Sequence, residues 1–140
     1  MADLNIVEKV IALESVELLQ GLKPEQLARV ASIASEVAAP PGKVLMDPTK
    51  PMGALMIVIE GSVELLRNQE ALMTARQNDV LGAWSLFDDD ALPIEARTLE
   101  DTRLLRISRD DFYDLLADNS EITQALFSTL VRRFRKLVEQ

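Results

Sequence analysis

Gly82 opens the stretch GAWSLFDDDALPIEARTLEDTRLL, residues 82–105, and a glycine at the mouth of a short helical turn is the outline of an anion site. Backbone N–H groups at the start of such a turn, from Gly82 to Ser85, would offer hydrogen bonds to a phosphate. The residues that follow argue the other way. Between Gly82 and Asp101 six acids (Asp88, Asp89, Asp90, Glu95, Glu100, Asp101) stand against one base, Arg97. An anion entering here meets repulsion, screened but unfavourable. Three adjacent aspartates also lack the alternating spacing of a calcium loop, so no metal is expected. A charge run in a turn is ordinarily a solvated one.

Other chemistry is closed off by composition. The chain has no cysteine and no histidine. That excludes disulfides, thiolate catalysis, Ser-His-Asp and Cys-His arrangements, and haem held by either residue. No nucleophile–base pair emerges, so neither an enzyme nor a cofactor is expected. The net charge of −8 suits phosphate backbones poorly unless basic groups cluster, and they cluster only in VRRFRKLVEQ at the end. No apolar run is long enough to cross a bilayer, and MADLNIVEKV lacks a signal pattern, so a cytoplasmic setting is expected.

The elements around residues 82–98 follow from periodicity. Residues 4–19 carry apolar groups at helical spacing (Ile6, Val7, Val10, Ile11, Leu13, Val16), ended by Gly21. Pro24 suits the first position of a second helix, with Leu27, Val30, Ala31, Ile33 and Ala34 as its buried stripe. From Glu36 the pattern turns to short strands: 43–46, 54–60, 62–67, 71–75, 94–98 and 102–108. Glu60-Gly61 and Asn68-Gln69 read as hairpin turns. Ser108 with Asp111 reads as a capping box carrying Asp in place of Glu. A further helix begins near Ser120 and runs to about 139. The plan is one domain over 1–140: helices within 4–34, a β-roll over 36–108 with its cassette at 82–98, and helices within 109–139. This is a mainly β fold, a double-stranded β-helix of jelly-roll type with flanking helices.

That order, with the segments LLQGLKPEQLARVASIA, PPGKVLMDPTKPMGALMIVIEGSVELL and NDVLGAWSLFDDDALPIEARTLEDTRLLRISRDDFYDLL, resembles the cyclic nucleotide-binding domain family. Gly42 and Gly61 match two family glycines, and Thr49 stands in place of another. The resemblance implies a phosphate-binding cassette, and within it Gly82 matches the family glycine. Ala83 falls where a glutamate holds the ribose hydroxyl. Leu92 falls where an arginine pairs with the cyclic phosphate, and Pro93 where Ser or Thr offers a hydroxyl and an N–H. A guanidinium partner is worth about 1.5–3 kcal/mol, and each 1.4 kcal/mol is about tenfold in affinity. A cyclic nucleotide is therefore not expected to bind. Leu92, Trp84 and Ile94 would fill the old pocket, with Trp84 packed in a core or cap; the other reading is a pocket for a different, neutral or cationic, ligand, with Trp84 a stacking surface. Arg97 reads as a surface strand residue.

The last helix carries Thr123, Phe127, Leu130, Phe134 and Leu137 at heptad spacing, with a second row of Ile122, Leu126, Val131 and Val138. One row suffices to pack on the β-roll, so the other is expected to meet a partner: a second copy, as the resemblance also implies, or another domain of a larger protein. Arg132, Arg133, Arg135 and Lys136 complement the helix dipole; the other reading is a contact with an acidic partner or a membrane surface. Family transcription factors continue into a helix-turn-helix; the sequence reaches Gln140 without one, and nucleic-acid binding is not expected.

Overall fold

Two antiparallel four-stranded sheets face each other, with helices packed on the outer face of one of them. The computed structural model describes residues 3–88, 90 and 93–139. Strands β1 (Ser35–Ala39), β8 (Thr102–Ser108), β3 (Ala54–Glu60) and β6 (Val80–Leu81) lie side by side in the first sheet. Strands β2 (Val44–Met46), β7 (Glu95–Thr98), β4 (Val63–Arg67) and β5 (Glu70–Ala75) form the second. The helices are α1 (Ile6–Leu13), α2 (Pro24–Ser32), α3 (Arg109–Asp118) and α4 (Ser120–Glu139), with 3-10 turns at Glu17–Leu19 and Ala83–Leu86. This is the double-stranded β-helix with N-terminal helices and two C-terminal helices.

The period of two along a strand builds both cores. On β3, Leu55 and Ile57 face the helices, while Met56 and Val58 face the second sheet. β8 divides likewise, with Leu105 and Ile107 against Phe112, Ile122 and Leu126 on the helical side and Leu104 between the sheets. A strand covered on both faces reads as an unbroken apolar run, which is why ALMIVI is legible as a strand. The space between the sheets holds Ala39, Met46, Val63, Ala75, Leu81 and Ala96 as one contiguous cluster with Met56, Val58 and Leu104.

Several expectations change in detail. The helix expected over 4–19 is two pieces, because the chain turns after Leu13 and a 3-10 turn brings Val16 and Leu19 into the core. Ile6, Val7 and Ile11 are exposed, and α1 buries Ala12 and Leu13 instead. Asn5 caps that helix through its Oδ1, which accepts from the Glu8 N–H at 2.8 Å. Glu60-Gly61 is not a hairpin turn: β3 pairs with β6 and β8, β4 pairs with β5 and β7, and Gly61 marks the passage from one sheet to the other. Asn68 and Gln69, with φ of 52° and 68°, do turn the β4–β5 hairpin. Ser108 makes half of the expected box, its hydroxyl accepting from the Asp111 N–H at 3.2 Å.

Candidate functional site

The cassette turn is held from both ends. Gly82 adopts the left-handed conformation (φ 74°), and a Cβ there would lie 2.7 Å from the Ala54 carbonyl oxygen and 2.5 Å from the Met52 sulfur. Only glycine satisfies both the backbone angle and the close approach of β3. The chain then winds through Ala83–Leu86, with the Ser85 N–H donating to the Gly82 carbonyl at 2.9 Å and the Phe87 and Asp88 N–H groups both donating to the Trp84 carbonyl. At the far end, Arg109 on α3 donates to the Ser85 carbonyl through Nε at 2.9 Å and Nη2 at 2.7 Å, and to the Asp88 carbonyl at 3.0 Å. The Arg109 backbone N–H donates to Gly53 at 2.9 Å. One residue thus joins the cassette, the strand entry and the first C-terminal helix. Sequence reading missed it because its acceptors are carbonyls, which no side-chain motif announces.

The cassette residues singled out in the sequence fall in different environments. Ser85 and Leu86 are buried, and Ala83 packs partly against the helical core. Trp84 is 74% exposed, so it neither fills a pocket nor packs in a core or cap. In this 3-10 turn, its neighbour Ala83 takes the inward position and leaves the indole outside. Pro93 lines an open surface cleft of about 560 Å³ with Pro48, Leu66, Asn68, Glu95 and Arg97. Leu92 and Asp89 lie outside the described residues. Arg97 pairs with Glu95 at 2.7 Å on the strand surface, a modest contact at that exposure. Among the described residues, no group of three or more His, Cys, Asp or Glu is placed to hold a metal ion.

At the opposite end of the roll, Arg103 on β8 donates to Glu36 at 3.1 Å and approaches Glu60 at 3.6 Å. The Leu4 amide N–H donates to the same Glu36 carboxylate, and this bond first, then the Arg103 guanidinium, holds its pKa below the usual carboxylate range against the opposing effect of desolvation.

The two C-terminal helices meet at Asn119. Its side chain donates to the Leu115 carbonyl at 2.8 Å and accepts from Arg29 at 2.5 Å. Thr123 donates to the Leu116 carbonyl at 3.0 Å, so this member of the expected seam is spent on the junction. Ile122, Leu126 and Thr129 face the domain and are buried. Phe127, Phe134 and Leu137 are 64%, 66% and 71% exposed, with Leu130, Val131 and Val138 exposed beside them. Every residue from Leu130 to Glu139 is exposed, so about 15 Å of helix extends beyond the packed part of the molecule. Among the described residues, no helix is long and apolar enough to cross a membrane.

A β-roll with a glycine-led cassette turn and a pair of C-terminal helices defines a class, and comparison gives it a name. The family model for the cyclic nucleotide-binding domain matches residues 36–119, and the chain belongs to that family. It is 29% identical over 124 residues to the CRP-like cAMP-activated global transcriptional regulator of Mycobacterium tuberculosis, covering 85% of this chain and 55% of that protein. It is 27% identical over 112 residues to the cAMP-dependent protein kinase regulatory subunit of Aspergillus fumigatus, covering 79% of this chain and 27% of that one. In structure it is similar to the N-terminal domain of a transcriptional regulator from Streptomyces coelicolor A3(2), with a TM-score of 0.81 at 28% identity over 91% of this chain and 92% of the other. The chain therefore spans about half the length of the first of these relatives and about a quarter of the second.

Proposed function

We propose that these 140 residues form a single regulatory domain that has lost its grip on cyclic nucleotides and works by association, without catalysis, through the exposed seam of α4. The observation that carries the reading is the position of that seam. At about 100° per residue, Phe127, Leu130, Phe134 and Leu137 share a stripe distinct from Ile122, Leu126 and Thr129, which already cover the core. The core-facing stripe turns polar where the domain ends, at Arg133, which pairs with Glu17. The apolar seam keeps going where there is nothing of its own domain to cover. Burying such side chains contributes about 1.5–3 kcal/mol each, so a second copy, or another domain of a larger protein, is the natural cover.

Loss of the nucleotide rests on the cassette positions: Ala83 offers no carboxylate, Leu92 no guanidinium and Pro93 no N–H or hydroxyl. A cytoplasmic setting goes with this reading. A second reading, a working small-ligand sensor, is favoured by the retained geometry of Gly82 and its turn.

Sedimentation of the purified chain at high micromolar concentration, beside the variant F127E/F134E, tests the proposal. The expected result is a dimer that the variant converts to monomer without loss of helical signal. A monomeric parent that shows micromolar heats with cAMP or cGMP in calorimetry would favour the sensor instead.

A further inference from the structure

Three exposed aromatic residues lie where the cassette turn touches α3, two of them, Phe87 and Tyr113, in ring contact, and association through α4 does not use them. Trp84 stands one turn of the tight 3-10 helix before Phe87, which is itself exposed. The Phe87 ring packs edge-on to the buried Phe112 at 5.9 Å and tilts against Tyr113 at 6.2 Å. Phe87 is thereby fixed from below, while Trp84 and Tyr113 show large surfaces to solvent. The rim is acidic. Asp88 and Asp90 follow Phe87 in the turn, where the Asp90 N–H donates to Asp88 Oδ1 at 2.9 Å. On α3, Asp110 lies one turn before both Tyr113 and Asp114, and both aspartates are exposed. Arg109, at the start of α3, donates to the Ser85 and Asp88 carbonyls.

We propose that this acid-rimmed aromatic patch, Trp84, Phe87 and Tyr113, is a docking surface for an arginine-bearing segment of a partner protein. A guanidinium is the group that both halves of the patch recognise. Its plane stacks on an indole or phenol face, and its N–H fork pairs with carboxylates. Anionic partners, phosphate groups included, meet the same aspartates as repulsion. A neutral apolar segment would leave those carboxylates without partners. Aromatic residues and arginine are the residue types that most often carry binding energy where proteins meet.

Trp84 is the only tryptophan, so its emission reports on the patch directly. The full chain is titrated with a synthetic Arg-Gly repeat peptide and, separately, with a Glu-Gly peptide of equal length. The expected result is a saturable change in Trp84 emission with the arginine peptide alone. The variant D110N/D114N should weaken half-saturation about fivefold, as the loss of two exposed charge pairs allows. Tyr113→Ala should weaken it at least as far, and it supplies the readout should the first variant not fold. Unchanged emission with the arginine peptide overturns the proposal, as does an equal response to the glutamate peptide or a response that neither variant alters. A change that tracks the protein's own concentration with no peptide present assigns the patch to a second copy and overturns it too.

Discussion

The Arg109 guanidinium lies 2.7 Å from the carbonyl oxygen of Ser85, so the first residue of α3 grips the opening 3-10 turn of the cassette. The contact crosses 24 residues of chain and is part-buried. It satisfies carbonyls that a short 3-10 turn leaves open at its end. The same bonds tie the cassette turn directly to the start of α3.

Replacement of Arg109 by alanine should therefore loosen the cassette and cost about 1.5–3 kcal/mol, the range for a hydrogen bond made by a charged group. Chemical denaturation followed through Trp84 emission measures it, and the change at Trp84 should precede loss of helical signal because the opening is local. Arg109→Lys should recover only part of the stability, since a single ammonium nitrogen does not reproduce the rigid planar reach of Nε and Nη2 onto the Ser85 and Asp88 carbonyls.

Gly82→Ala should destabilise the fold by about 1–3 kcal/mol, combining a left-handed backbone with a side chain driven into the Ala54 carbonyl. The Met52 sulfur can swing aside; the β3 backbone cannot. The double variant M52A/G82A should therefore recover little. Thermal melts of parent, single and double variants decide between backbone and side-chain obstruction.

Acid should act at Glu36. Its folded pKa lies below the ordinary value because Leu4 and Arg103 favour the carboxylate. A depressed carboxylate stabilises the fold fully above the ordinary carboxylate range, about pH 4–5, and that contribution disappears as pH falls through the folded pKa. Glu36→Gln should be less stable than the parent at pH 6, with the gap closing below pH 4. Urea midpoints across that range would show it; a constant gap would mean that the charge does not matter.

The cassette substitutions can be reversed. The triple variant A83E/L92R/P93S restores the three polar groups that the family resemblance implies. It should bind cAMP at least about tenfold more tightly than the parent in calorimetry, since a guanidinium partner alone is worth about 1.5–3 kcal/mol. Equal, weak heats from both proteins would mean that the interior of the roll, and not these three residues, bars the ligand.

Legibility in the sequence followed how many levels of structure agreed. Ala54–Glu60 was readable because it is apolar along nearly its whole length, and Thr102–Ser108 because Leu104, Leu105 and Ile107 supply a short apolar run inside it. SEVAA was not, since β1 is an edge strand of small and polar residues, and the two residues of β6 are too few for any period. The break after Leu13 was hidden because Val16 and Leu19 continue the apolar spacing through a different conformation. The cassette was recognisable from Gly82 and its surroundings. Trp84 misled because a large aromatic ring reads as core, and the contact of Phe87 with Tyr113 joins two separate elements that only the folded chain brings together.

The junction at Asn119, where φ is −136° and ψ is 81°, sets the direction in which the 20-residue α4 leaves the domain. Its first half is packed through Ile122, Leu126 and Thr129, so the foot is fixed and only the second half, about 15 Å long, is an exposed arm. A tilt of about 10° at the last packed turn would sweep the tip of such an arm by about 2.6 Å. A neighbour docked near Leu137 would feel that displacement most, and one docked at Phe127 least.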